Sequence, residues 1–287
     1  MVTEEHTMRF SVLIPVYKTE PQLFEKCINF AKNQITKNDS RFLDYEIVIC
    51  FDGKCKEHDF LRSMLDTLLV KRNCSYQVFT SEENQGVSAT RNNCLSLAQG
   101  DWIVWCDSDD TLQPFALSVL EDYIVKYQDK YDCYCYKANI YDLVGVDYSK
   151  SMIDNYIGDT VFYDLHTSNA YFGKVPEVLW RKCISKQFID KNKISFDNDI
   201  KLYDDWYFHN ILCMHLTTVY KIDKALYNYT IRENSLSSNS EKDNKRDYIL
   251  KIAEKLWKQA ENRAYGLDYL EQQERIDDYC KEFLGIK

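Results

Sequence analysis

The chain has 287 residues, of which 45% are hydrophobic and 28% charged, with only 8 Gly and 4 Pro. That composition fits one large α/β domain, or a domain with a small appendage, and excludes a disordered or linker-dominated chain. With 36 basic and 45 acidic residues the formal net charge is −9, which argues against a non-specific nucleic-acid binder, because such proteins need a basic stripe.

In chain order, Phe10 to Val16 (Phe-Ser-Val-Leu-Ile-Pro-Val) is a near-continuous apolar run of the kind found in buried parallel strands, with Pro15 marking its end. Pro21 to Asn33 has helical spacing. Tyr45 to Phe51 is a second apolar strand, ending in Asp52-Gly53. A helix is expected over Leu61 to Val70, a short strand over Tyr76 to Thr80, a loop over Glu82 to Gly86, and a helix over Val87 to Ala98. Trp102 to Cys106 is a third apolar strand, and a helix follows from about Pro114 to Tyr127.

Beyond Asp129 the alternation blurs. Cys133 to Tyr141 reads as a strand, and Asp142 to Phe172 has too weak a periodicity to place. Val175 to Phe188 looks like a strand leading into a helix start. Leu202 to Leu216 is helical. Val219 to Ile222 and Ala225 to Tyr229 read as two strands, and Thr230 to Ser240 as a polar loop. Two amphipathic helices are expected at the end, over Asp247 to Arg263 and about Tyr269 to Phe283.

Alternating strands and helices imply parallel βαβ units in a doubly wound sheet, whose ligands sit beyond the carboxyl ends of the strands. Three apolar runs end in polar or special residues: Val16-Tyr17, Asp52-Gly53, and Asp107-Ser108-Asp109-Asp110. The last places three carboxylates within four residues. Like charges so close raise one another's pKa unless a positive group sits among them. A divalent cation meets that need, because Mg and Mn suit carboxylate oxygens and usually bridge phosphates. A plain acidic turn before the next helix, with Asp110 or Thr111 as its cap, would account for the same residues.

The 11 cysteines are odd in number and form no Cys-x-x-Cys pair, so reduced thiols in a cytoplasmic compartment are expected rather than disulfides or zinc. Residues 1–9 are polar, with no apolar core of a signal peptide. No run approaches the roughly eighteen apolar residues of a membrane span.

The ordered motifs are similar to those of the inverting family 2 glycosyltransferases, which have the GT-A fold. They are Ser-Val-Leu-Ile-Pro-Val-Tyr from Ser11, then Phe51-Asp52-Gly53, Asn84-Gln85-Gly86-Val87-Ser88-Ala89-Thr90-Arg91-Asn92 and Gly100-Asp101-Trp102-Ile103 leading into Asp107-Ser108-Asp109-Asp110. Trp180-Arg181-Lys182, Phe196, Tyr203-Asp204-Asp205-Trp206-Tyr207-Phe208 and Arg232-Glu233-Asn234-Ser235-Leu236-Ser237 follow. The resemblance covers about Phe10 to Ser238. It implies a Rossmann-like, mixed but mostly parallel sheet flanked by helices in a catalytic domain, 1–240. Residues 241–287 would be a helical extension.

The resemblance also implies roles. Val16 and Tyr17 would touch the nucleotide, Asp52 would accept from a uracil nitrogen, and Arg91 would lie near the base or diphosphate. Asp107, with Ser108 beside it, would approach the ribose or a metal-bound water. Asp109 would ligate Mn²⁺ or Mg²⁺, and Arg232 would face the departing diphosphate. Asp205 would be the general base, although two carboxylates in a first helical turn are also what the helix dipole favours. Asp204 stands where that family more often has Glu. No histidine follows His215, so a late-loop histidine ligand is lacking. His209 is expected on a solvent-facing helix position, and Trp206 is expected to pack inward.

The reaction so implied moves a sugar from a nucleotide diphosphate, a UDP-sugar by expectation, to a carbohydrate or lipid-linked acceptor, with inversion. A non-catalytic binding module is the alternative. A sugar-phosphate nucleotidyltransferase is a third reading, disfavoured because Tyr17-Lys18-Thr19-Glu20 lacks the glycine-rich phosphate loop. The mixed polar face of the C-terminal helices suits packing or dimerisation better than a membrane surface. Peripheral contact at the inner membrane face stays open.

Overall fold

The computed structural model describes residues 9–69, 75–128, 130–142, 160–162, 175–232 and 245–261. Strands β1 (Phe10–Val16), β2 (Tyr45–Phe51), β3 (Ser75–Thr80) and β4 (Trp102–Trp105) run parallel in the order β3-β2-β1-β4. β1, β2 and β4 are covered on both faces and are mostly apolar, while the edge strand β3 is partly exposed, and the period of two still divides the buried strands. Phe10, Val12, Ile14 and Val16 pack toward α1 (Pro21–Lys32), α2 (Lys56–Leu69) and α4 (Ala116–Tyr127). Leu13, Val48, Cys50, Ile103 and Trp105 pack on the other face, with α3 (Val87–Leu97), α5 (Lys186–Lys191), α6 (Asp204–His215) and α7 (Lys245–Glu261). Burying each large apolar side chain contributes roughly 1.5–3 kcal/mol, and this two-layered core fixes the strand ends that carry the polar residues.

Beyond β4 the sheet becomes mixed. β5 (Thr111–Leu112), β6 (Cys133–Asp142), β7 (Thr160–Phe162), β8 (Lys182–Ser185) and β9 (Val219–Ile231) continue it in the order β4-β8-β6-β9-β5, with β7 on β9. β8 is antiparallel to β4 and β6, β6 and β9 are parallel, and β5 and β7 run antiparallel to β9. The mostly parallel α/β architecture expected from the alternation is present.

Several local expectations are corrected. α2 starts at Lys56 rather than Leu61, with Glu57 and Asp59 in a polar first turn. Thr111 is not a helix cap: Thr111–Leu112 forms β5, and α4 starts at Ala116. The two late strands are one, because β9 runs on through Asp223-Lys224 while irregular pairing opposite Tyr136 to Ala138 absorbs the mismatch. The strand expected from Val175 is instead a 3-10 turn, Leu179–Arg181, followed by β8. α7 lays Ile249, Ile252, Ala253 and Leu256 into the core beside α6. The nine described cysteines are all free. The expected second C-terminal helix, the loop after Arg232 and most of 142–172 lie outside the described residues.

Candidate active site

The parallel register sets the site's geometry. Val16 pairs with Phe51 and Leu13 with Trp105, so β1, β2 and β4 end at one edge. Asp52 N–H donates to the Val16 carbonyl at 3.0 Å and Cys106 N–H to that of Leu13 at 3.0 Å, which carries the register into the turns. Val16 itself is buried in the core. Its carbonyl positions Asp52, and its side chain packs in the core cluster that includes Phe24 and Phe51. Tyr17, by contrast, is 44% exposed at the rim.

Asp52 is buried and accepts two backbone N–H groups of the loop before α3, Gln85 at 2.7 Å and Gly86 at 3.0 Å. It organises that loop, and a carboxylate has lone-pair sites left for a further donor. Gly53 has φ 88, and a Cβ there would lie 2.7 Å from Asn84 N, so only glycine fits the turn.

The motif from Asn84 to Asn92 proves to be a clamp. Ser88 Oγ donates to the Ile200 carbonyl at 2.6 Å, and the Asn92 side chain pairs in both directions with the Phe196 backbone at 2.9 and 3.0 Å. Phe196 stacks on Phe208 and meets Trp105 edge-on. Arg91, from the same helix, lies over Phe196, donates to Asp204 and reaches Asp107 Oδ1 at 3.5 Å. Burial opposes the Arg91 charge, but Asp204, Asp107 and Asp205 outweigh it and raise its pKa. α3 thus holds the segment that delivers Asp204 and Asp205. Tyr203, just before them, takes the left-handed φ of 59, a strain such clamped segments sustain. Sequence reasoning gave no site-building role to Ser88, Asn92 and Phe196, although all three lie in the recognised motifs.

Asp205 is half-buried at the first turn of α6, with Oδ1 accepting Trp206 N–H at 2.8 Å. Burial first, then Asp204, raise its pKa above the usual carboxylate value against Arg91, the Trp206 N–H and the buried Lys182. Asp107 is pushed up to about 6 by burial, with Arg91 opposing and Asp109, Asp205 and Asp204 adding. Carboxylates from the turn after β4 and the start of α6 therefore share one electrostatic neighbourhood.

The four residues of the acidic turn divide their work. Ser108 is buried and hydrogen-bonds Thr19 in the turn after β1, so it joins two loops. Asp110 is also buried, accepting Thr230 N–H at 2.7 Å and Tyr227 O–H at 2.9 Å, while Asp107 N–H donates to the same tyrosine oxygen at 3.0 Å. Tyr227 and Tyr229 stack on Trp180. Asp107 and Asp109 are the two half-exposed carboxylates of the turn; Asp109 Oδ2 receives Arg232 Nε at 2.8 Å and a terminal nitrogen at 2.6 Å. His209 corrects its expectation. It is buried, and burial first, then Lys182 of β8, holds its pKa well below the usual value. Trp206 packs inward, as expected.

With this geometry in hand, residues 11–180 match the family model described as Glycosyl transferase family 2. The chain belongs to that family. It is 29% identical over 242 residues to the cholesterol galactosyltransferase of Borreliella burgdorferi, covering 82% of this chain and 63% of that protein. It is 26% identical over 243 residues to glycosyltransferase GlyA of Streptococcus pneumoniae (80% of this chain, 31% of that one). It is 31% identical over 204 residues to the poly(ribitol-phosphate) beta-glucosyltransferase of Bacillus spizizenii (70% and 29%). The chain thus spans between about a third and two thirds of these relatives. The crystal structure of S. aureus TarS 1-349 in complex with UDP-GlcNAc superposes with a TM-score of 0.73 at 18% identity, over 98% of this chain and 74% of that one. That likeness establishes the GT-A fold of this family 2 member.

The fit to a divalent cation follows from the donor set. Among the described residues no group of three or more His, Cys, Asp or Glu side chains is arranged to hold a metal. Mg²⁺, however, commonly uses only one or two carboxylates and completes its shell with phosphates and waters. Asp109 and Asp107 offer hard oxygen donors. Burial raises the Asp107 pKa first, with Arg91 opposing and Asp109, Asp205 and Asp204 adding, so several carboxylates crowd around this turn. The residues fit such an ion.

Proposed function

We propose that this family member transfers a sugar from a nucleotide diphosphate donor, a UDP-sugar, to a hydroxyl of a carbohydrate or lipid-linked acceptor by a single inverting displacement. The observation that carries this reading is Asp205: a half-buried carboxylate of raised pKa, fixed at a helix start and electrostatically coupled to the acidic turn. A base poised nearer neutrality than a free carboxylate is what proton removal from a hydroxyl needs.

The acceptor oxygen attacks the anomeric carbon as its proton passes to Asp205. The bond from that carbon to the diphosphate oxygen breaks, and its electron pair leaves with the nucleotide. Carboxylate charge at this point also favours the oxocarbenium-like transition state. Tyr17 and Asp52 would line the base site. Arg232, at the end of β9, would meet the diphosphate. Mn²⁺ or Mg²⁺ would be held by Asp109 with Asp107 alongside, and when bound it supplies positive charge toward the diphosphate. We assign catalysis to residues 1–240, with 241–287 as a helical extension. No helix among the described residues is long and apolar enough to cross a membrane. A cytoplasmic site of action with access to a membrane-bound acceptor suits this reading.

The direct test is nucleotide release from a panel of nucleotide sugars, with Mn²⁺ and with chelator. Metal-dependent UDP release is expected, together with an Asp205→Asn enzyme that keeps donor affinity and loses transfer. Transfer by Asp205→Asn near the wild-type rate would overturn the base assignment.

A further inference from the structure

His58 lies in the first turn of α2 and is fully buried, yet it is bonded entirely outside its own helix. Its Nε2 is 3.1 Å from Lys18 N, in the turn after β1, and its Nδ1 is 2.7 Å from the Gly53 carbonyl, in the turn after β2. A backbone N–H can only donate, so Nε2 is the bare nitrogen, and Nδ1 carries the proton given to Gly53. The ring is therefore neutral, with one tautomer fixed by its two partners. The Phe51 ring lies 5.3 Å from it and the Tyr17 ring meets it edge-on at 6.2 Å.

What it joins is also unusual. Lys18 and Gly53 both have positive φ, 47 and 88, conformations that persist only when surrounding contacts over-determine them. Each is the chain neighbour of a rim residue: Lys18 follows Tyr17, and Gly53 follows Asp52. We propose that His58 is a positioning residue for the donor's nucleobase: its imidazole sets the spacing between the Tyr17 and Asp52 turns, between which a planar heterocycle with a ring N–H is held. This inference rests on the nucleotide-sugar reading above. Tyr17, at 44% exposure, offers the face, and Asp52 offers the acceptor.

The experiment measures UDP affinity in the presence of Mn²⁺, the donor KM and kcat, and thermal stability. His58→Phe keeps the ring's shape but leaves the Lys18 N–H without an acceptor. It is expected to weaken UDP binding and raise the donor KM by about tenfold to a hundredfold, with kcat within about threefold of wild type. His58→Asn restores a donor near Gly53, His58→Gln an acceptor near Lys18, and each is expected to fall between wild type and Phe. Should Phe fail to fold, these two carry the comparison. Leu65→Ala, a core truncation on the same helix, controls for stability alone and should lower the melting temperature without changing UDP affinity. Wild-type UDP affinity in the His58 variants, or a loss in kcat at unchanged KM, overturns the inference. A wild-type protein that binds no UDP overturns the nucleotide-sugar reading instead.

Discussion

Arg91 on α3 and Asp204 at the first turn of α6 form a largely buried ion pair between residues 113 positions apart. The same guanidinium reaches Asp107, so one cation faces both the helix bearing the proposed base and the turn bearing the proposed metal ligand. Removing one partner of a buried pair leaves the other charge uncompensated, at a cost of about 3–5 kcal/mol. Arg91→Ala should therefore lower the urea midpoint strongly at unchanged slope, whereas Arg91→Met combined with Asp204→Leu should recover much of the stability but not the activity. Equal stability of Arg91→Ala and wild type would show the pair to be incidental.

The acid limb of the rate profile follows from Asp205. Its pKa is raised by burial and by Asp204, so the protonated, inactive form persists to higher pH than a free carboxylate's, about 3.9. Transfer should fall as pH drops through a midpoint above that value. Asp204→Asn removes a raising charge and frees Arg91 to act on Asp205, so its limb should lie at lower pH. The check is kcat against pH for both proteins at saturating donor. A wild-type rate flat down to about pH 4 would rule out this titration. The sign for stability is opposite to that for rate: the raised group favours the folded state at low pH, and that contribution is lost as pH rises through its folded pKa.

Arg232 donates twice to Asp109 Oδ2, an oxygen of the proposed metal ligand, so a bound metal ion would compete with Arg232 for it. Arg232→Gln should thus bind Mn²⁺ more tightly than wild type without nucleotide, yet bind UDP more weakly, by roughly tenfold to a hundredfold, since a charge-assisted bond to phosphate is worth about 1.5–3 kcal/mol. Titration calorimetry separates the two. Shifts in the same direction would contradict the shared-oxygen arrangement.

Gly53→Ala places a methyl 2.7 Å from a backbone nitrogen at a φ of 88. The cost should be about 1–3 kcal/mol of stability. Because Asp52 precedes it and pins the Gln85-Gly86 loop, UDP affinity should fall with it. Calorimetric melting and a UDP titration on one preparation read both.

The sequence made the parallel half of the sheet legible because β1, β2 and β4 are apolar on both faces, a pattern that needs no partner to interpret. Features set by remote partners were not legible. Thr111–Leu112 is a strand only because β9 lies beside it. His209 looked solvent-facing because helical spacing cannot reveal that α6 is buried almost all round, with Lys182 of β8 near this residue. The burial of Val16 and Ser108 was not legible either, because it depends on the core and the loop packed beneath each strand end. His58 was hidden by reading α2 as beginning at Leu61. The signal was the acidic first turn, Lys56-Glu57-His58-Asp59, which suits a helix N-terminus.

β9 has one more consequence. It pairs Asn228 with Thr111, which brings the Tyr227 hydroxyl between Asp107 and Asp110 and the guanidinium of residue 232 onto Asp109. A strand alternates its faces and advances about 3.3 Å per residue. Deleting a single position between Val219 and Tyr227 would barely alter composition, but it would turn the phenol away and set the arginine one step short of its carboxylate. Length is thus as much a specification of this strand as chemistry: it works as a ruler whose last mark is the arginine.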